Sequence, residues 1–126
     1  MNKDIKPKND KGQAHGMWEV YNNSGYLHHK CNYVNGERDG YYEWYYSKGQ
    51  LGSKGNYING EKHGYWEDYY SDGQLETKGH YVNKYKHGYW ESYRENGKVY
   101  YIGFYDMGKK VDYEVLIVAK EMFPIY

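Results

Sequence analysis

Cysteine is all but missing from this chain of 126 residues: Cys31 stands alone, so no internal disulfide can form. Proline and phenylalanine occur twice each. Neither sign of charge prevails, with 17 basic and 17 acidic residues. A nucleic-acid-binding surface normally brings a basic excess, so the balance speaks against a nucleic-acid partner. It also gives no electrostatic reason for non-specific attraction to an acidic membrane. Long apolar runs are absent too. VLIVA at 115–119 is the longest, far short of the roughly 20 residues of a membrane span. The opening residues MNKDIKPKNDKGQ have no apolar signal-peptide core, and the expectation is a soluble, cytoplasmic protein. Ile, Leu, Val and Phe together make only 18 residues. Such poverty signals disorder when net charge is high. Here net charge is zero, and 20 Tyr and 4 Trp take over the apolar role. Both bury large areas while keeping a polar handle, which suits a thin structure close to water.

The aromatic residues recur. GYWEDYY at 64–70 returns as GYWESYR at 88–94, GYYEWYY at 40–46 and GMWEVYN at 16–22. The starts Gly16, Gly40, Gly64 and Gly88 are 24 residues apart. A second half follows each: GYLHHKCNYVN, GQLGSKGNYIN, GQLETKGHYVN and GKVYYIGFYDM. Self-similarity at a fixed period marks a repeat architecture. Each unit reads as two aromatic-rich strands bounded by turn residues. Asp72-Gly73 and Asn96-Gly97 signal one hairpin turn, and Asn35-Gly36 or Asn59-Gly60 signal the link between units. The division expected is a flexible tail over 1–12 carrying Lys3, Lys6, Lys8 and Lys11, four hairpin repeats over 13–111, and a degenerate fifth copy with a cap over 112–126. The fold class is all-β: an elongated, twisted, single-layer antiparallel sheet of tandem hairpins.

A two-residue turn at 72–73 sets Trp66 opposite Gly79, Glu67 opposite Lys78 and Tyr70 opposite Leu75. The same arithmetic sets Glu43 opposite Lys54, Glu19 opposite Lys30, Tyr42 opposite Gly55, Trp90 opposite Gly103 and Trp18 opposite Cys31. A ring over a cross-strand glycine covers a bare strand position. Alternation of side chains then gives a structural ladder of Trp18, Trp66, Trp90, Leu27, Leu51, Leu75, Tyr33, Tyr57, Tyr81 and Tyr105 on one face, with Tyr42 and Val99. The other face carries Glu19, Glu43, Glu67 and Glu91 with Lys30, Lys54 and Lys78. Its tyrosines, Tyr21, Tyr45, Tyr69 and Tyr93 together with Tyr41, Tyr65 and Tyr89, are the candidate partner-binding residues, because Tyr gives contact area at low entropic cost.

No arrangement of residues points to catalysis, a metal or a cofactor. His15, His63 and His87 share a slot, but successive repeats lie about 9–10 Å apart, too far for one zinc with nitrogen ligands at about 2.0–2.1 Å. His28 and His29 are expected on opposite faces of a strand. The glutamates are separated in the same way, and three of them have lysine partners. Cys31 occupies a glycine slot and reads as a packed thiol.

The pattern G-x-W-x-x-Y-x-x-x-G-x-L-x-x-x-G-x-Y-x-N-G, matched over 16–111, resembles the MORN repeat in its bacterial and viral variant. The chain departs from it at Cys31 and Lys84, which replace glycines, and after Gly108. The resemblance implies stacked hairpins in one sheet and a non-catalytic role: scaffolding, partner binding or contact with lipid headgroups. Some bacterial proteins of this kind are antitoxins of toxin–antitoxin pairs. The function expected is a non-enzymatic scaffold that binds a protein through the Tyr-rich face. An antitoxin, a peripheral lipid binder and a viral or phage assembly component are the alternatives. Residues 112–126 predict either a helix from about 113 to 122, stopped before Pro124, or a last strand. This apolar segment is also a candidate surface for self-association.

Overall fold

Asparagine and glycine set the geometry of the first two links between repeats. The computed structural model describes residues 3–111; the expected fifth copy, its cap and its self-association surface lie outside the described residues. Asn35 and Gly36 both take positive φ, 49° and 89°, as do Asn59 and Gly60 at 50° and 83°. Two successive left-handed residues make the two-residue hairpin turn whose twist matches the flanking strands. Strands therefore follow one another as neighbours: β1 (Gly16–Tyr21), β2 (Leu27–Val34), β3 (Glu37–Tyr45), β4 (Leu51–Ile58), β5 (Glu61–Tyr69), β6 (Leu75–Val82), β7 (Tyr85–Tyr93), β8 (Val99–Asp106) and β9 (Lys109–Lys110). All pair antiparallel in one sheet in sequence order. The third link departs from the rule: Lys84 sits where the others have glycine, at φ 72°. A left-handed residue with a Cβ costs roughly 1–2 kcal/mol, part of which glycine's freedom in the unfolded chain gives back. Lys84→Gly should stabilise the protein by about 1 kcal/mol, read as a higher urea midpoint at unchanged slope.

The turns within repeats are not the two-residue turns expected. Tyr70 N–H donates to Gln74 O at 2.8 Å and Gly73 N–H to Tyr70 O at 3.0 Å, which makes a three-residue loop. Gly73, at φ 96°, forms its bulge. Such a loop displaces the register by one residue. A second bulge undoes the displacement: Tyr69 pairs with Leu75, while Asp68 pairs with Thr77, so Glu76 has no partner on β5. His28, Gly52 and Tyr100 are skipped in the same way. Beyond the bulge the expected register holds, with Trp66 against Gly79 and Glu67 against Lys78. Before it, the expected pairing of Tyr70 with Leu75 fails. The bulge also turns Leu27, Leu51, Leu75 and Val99 over. They align with Tyr21, Tyr45, Tyr69 and Tyr93, and so belong to the Tyr/Glu face rather than to the tryptophan ladder.

The core is the ladder of rings on the other face. Trp66 is 2% exposed and Trp90 4%, low values for a sheet on which no second layer is stacked among the described residues. Trp66 packs edge-on to Tyr57 at 5.3 Å and to Tyr81 at 6.2 Å, and Tyr81 reaches Trp90 at 5.0 Å. Tyr42 joins Tyr57 at 5.3 Å and Trp66 at 5.7 Å, and Trp18 meets Tyr33 at 5.2 Å. The rings do cover glycines, but not the expected ones. Trp66 lies over Gly55 and Trp90 over Gly79, each a glycine of the preceding repeat. Their indole N–H groups donate to Asn56 O and His80 O, both at 3.1 Å. Each tryptophan thus locks its own repeat onto the one before. In the slot ahead of them, Cys31 is fully buried and aligned with Tyr42. The one repeat with Tyr instead of Trp in this slot, at Tyr42, follows the one repeat without that glycine, so a smaller ring accompanies a larger floor. On the same face Tyr46 and Tyr70 donate their phenols to Tyr69 O at 2.6 Å and Tyr93 O at 2.5 Å, which again joins successive repeats.

Within the segment expected as a flexible tail, Ile5 and Pro7 lie along β1 instead. Ile5 and Glu19 exchange both backbone hydrogen bonds at 2.9 Å, and His15 N–H donates to Pro7 O at 3.0 Å. Trp18 reaches the same carbonyl through its indole N–H at 2.8 Å. This segment covers backbone groups that β1 would otherwise present as an open edge.

Candidate binding face

The face opposite the tryptophans is built from a clamp that repeats. In β3, Tyr41 and Tyr45 flank Glu43 at two-residue spacing, so all three side chains stand on one face. Both phenols donate to the carboxylate, at 2.5 Å and 2.6 Å. In β5, Tyr65 and Tyr69 hold Glu67 at 2.7 Å and 2.5 Å. The outer repeats keep half of the clamp: Tyr21 donates to Glu19 and Tyr93 to Glu91, both at 3.1 Å. Met17 stands in the missing slot of the first. In the fourth, Tyr89 is 5% exposed and packs with Phe104 and Val111. Tyr89 therefore leaves the candidate set: its ring is core, not surface. Tyr41, at 38% exposed, is its open counterpart.

Lysines complete the face, across a different strand pair from the one expected. The registers Glu43–Lys54 and Glu67–Lys78 are present. The ion pairs, however, are Lys54–Glu67 and Lys78–Glu91, both at 3.4 Å, and each bridges one repeat to the next. Burial pushes the Glu67 carboxyl up, but hydrogen bonds from Tyr69, Tyr65 and Lys54 outweigh it and hold it below the usual carboxylate value. The phenols move the other way. Burial, and then the neighbouring carboxylate, raise Tyr41 to about 12 and push Tyr45, Tyr65 and Tyr69 well above their ordinary value. Between adjacent clamps opens a shallow pocket of about 240 Å³, lined by Tyr41, Lys54, Gly55, Asn56 and Tyr65.

The remaining candidates have structural work. His15 Nδ1 accepts the Asn35 N–H at 3.1 Å and His87 Nδ1 the Met107 N–H at 3.2 Å, so both hold turns. His28 and His29 are not on opposite faces: the bulge at His28 brings the two Nδ1 atoms to 2.7 Å. Among the described residues no three His, Cys, Asp or Glu side chains are placed to hold a metal. Burial pushes the Cys31 thiol up to about 11, which leaves it protonated and a poor nucleophile. Three exposed tyrosines were not anticipated, Tyr26, Tyr85 and Tyr100, at 47%, 44% and 55%. Tyr26 and Tyr85 border turns, and Tyr100 is a bulge residue. Only knowledge of the bulge would have singled it out.

Among the described residues no helix is long and apolar enough to cross a membrane. No curated protein matches the chain in sequence. A crystal structure of TarM resembles it with a TM-score of 0.47 and 12% identity, over 92% of this chain and 22% of that one. The chain thus spans about a fifth of TarM. The family model for the MORN repeat variant matches residues 38–59, 62–83 and 86–107, three consecutive units that start two residues before each repeat glycine. With its fold, its period and this match, the chain belongs to the MORN repeat family.

Proposed function

We propose that the protein is a non-enzymatic scaffold that grips a protein partner along its Tyr/Glu face. MORN repeats are generally non-enzymatic and typically bind proteins or membranes. The observation that carries the reading is the clamp. Tyr41, Tyr45, Tyr65 and Tyr69 are fixed by Glu43 and Glu67 before any partner arrives. Rigid rings lose little entropy on binding, and the pocket between Tyr41 and Tyr65 can receive one partner side chain. Affinity capture of the tagged protein from its native cells, with mass spectrometry, should return one stoichiometric protein. The quadruple alanine variant at Tyr41, Tyr45, Tyr65 and Tyr69 should then lose at least tenfold in affinity while keeping its β-sheet circular dichroism. Unchanged affinity in a folded variant would end the reading. An enzyme toxin as the captured protein would make the scaffold an antitoxin.

A further inference from the structure

Zero net charge conceals a segregation. On the tryptophan face every unit places a cation at one position: Arg38, Lys62, Lys86 and, next in the period, Lys110. Register puts them beside Tyr33, Tyr57, Tyr81 and Tyr105. Each rests on rings. Arg38 lies 5.2 and 5.4 Å from the Tyr42 and Tyr57 centroids. Lys62 lies 4.6 and 5.2 Å from Trp66 and Tyr81, and Lys86 4.7 and 5.3 Å from Trp90 and Tyr105. Lys110 sits 4.7 Å over Tyr101. Ring contact attracts a cation without neutralising it. The ion pairs among the described residues are Lys6–Asp4, Lys54–Glu67, Lys78–Glu91 and His87–Asp106, and none of the four takes part. Asp68, a carboxylate on the same face, is turned to the hydroxyls of Ser53 and Thr77 at 2.7 and 3.0 Å. A row of fixed cations outside those ion pairs results, one per two strands.

The step selects the ligand. Two strands span roughly 9.4–9.8 Å at the sheet axis, and twist lengthens the step somewhat away from it. Three residues of polypeptide rise about 9.3 Å as polyproline II and about 10 Å when extended. A nucleic-acid strand carries a charge every ~3.4 Å, about three anions per cation. A lipid surface is flat, whereas the strands turn by about 20–25° from one to the next. We propose that this face binds an acidic segment with a carboxylate at every third residue, laid across the strands with one carboxylate on each cation. Intervening residues, proline above all, land on the aromatic ladder between them. The site is on the face opposite the tyrosine clamps and stands whether or not those bind.

The test is a fluorescence-anisotropy titration of the full chain with a labelled peptide of about five Glu-Pro-Pro triplets. The control has the same composition with its glutamates consecutive. The periodic peptide should bind at least tenfold tighter and weaken as salt rises. Lys62→Gln with Lys86→Gln should lose about tenfold for it. Lys62→Arg with Lys86→Arg should keep the affinity, as should Lys48→Gln with Lys98→Gln at exposed turn positions. If the glutamine pair unfolds, the two peptides on the unaltered protein still decide. Equal affinity for both peptides, or binding to neither, overturns the proposal. Uptake by phosphatidylserine vesicles without peptide binding also overturns it and assigns the row to a membrane.

Discussion

Gly79→Ala should cost about 3 kcal/mol, near the top of the range for overpacking, although it adds a single methyl group. A Cβ at Gly79 would come within 2.1, 2.3 and 2.6 Å of Trp90 Cδ2, Cε2 and Cγ, a clash with the ring. The ring has no room to yield: it is 4% exposed, donates to His80 O at 3.1 Å and carries Lys86 on its other side. Either the strands part or the indole leaves. Leaving exposes a side chain worth roughly 1.5–3 kcal/mol of burial and abandons a hydrogen bond. Gly73→Ala is the control. Its Cβ would meet nothing within 4 Å, but its φ of 96° is left-handed, so only the conformational cost of roughly 1–2 kcal/mol applies. Urea unfolding followed by tryptophan fluorescence separates the two. If Gly79→Ala is no worse than Gly73→Ala, the ring is not the lock between repeats. Because each repeat touches only its neighbours, the damage should be directional. β7 and β8 should melt before the strands ahead of them, and one transition should become two. Gly55→Ala should do the same through Trp66, nearer the middle of the sheet.

That lock also shows where sequence reading succeeds and where it stops. The period, the strand order and most of the register follow from spacing alone, since a repeat of 24 residues with paired turn signals leaves little choice of topology. Trp66 against Gly79 was legible as an alignment of backbones. Where the indole goes was not, because a side chain between two strands can lean either way and nothing in the spacing chooses. The leucines were misplaced for a related reason. Leu75 is one residue before an unpaired Glu76, and a bulge has no composition of its own: His28, Gly52, Glu76 and Tyr100 fill it with four different residues. A three-residue loop and a bulge cancel in the register but not in the direction of the leucine. Tyr89 was misread because Phe104 replaces the polar Asn32, Asn56 and His80 of the other units at the aligned position. One apolar neighbour converts a surface ring into core. The cation row was open to view in the sequence as Arg38, Lys62, Lys86 and Lys110. It acquires meaning only once the ion pairs among the described residues are known to leave it out.

Raising the pH from 10 to 12 should unfold the protein cooperatively, and the tyrosines that build it should be the cause. Unfolded tyrosine titrates near 10. Burial first, and then the Glu43 carboxylate, pushes Tyr41 up to about 12. Burial also carries Tyr81 and Tyr105 to about 12, with Asp68 and Tyr101 respectively adding to it. Tyr45, Tyr65 and Tyr69 are raised by burial and then by their clamping glutamates. A raised folded value means that the native state holds its proton more tightly. The contribution to stability is therefore complete below pH 10 and is lost as pH climbs toward the folded values. A full unit is worth at most about 1.4 kcal/mol per group, and partial exposure reduces it. Six groups acting together still weigh against a total stability of roughly 5–15 kcal/mol. Tyrosinate absorbance and sheet circular dichroism should change in one transition. Independent titration near 10 in an intact sheet would show that the clamps hold nothing. Glu67→Gln discriminates further. Without the carboxylate the folded values of Tyr65 and Tyr69 fall toward 10, so the variant should be less stable at neutral pH and yet lose stability less steeply between pH 10 and 12. A parallel loss at both ends would make Glu67 a packing residue and leave the tyrosines to burial alone.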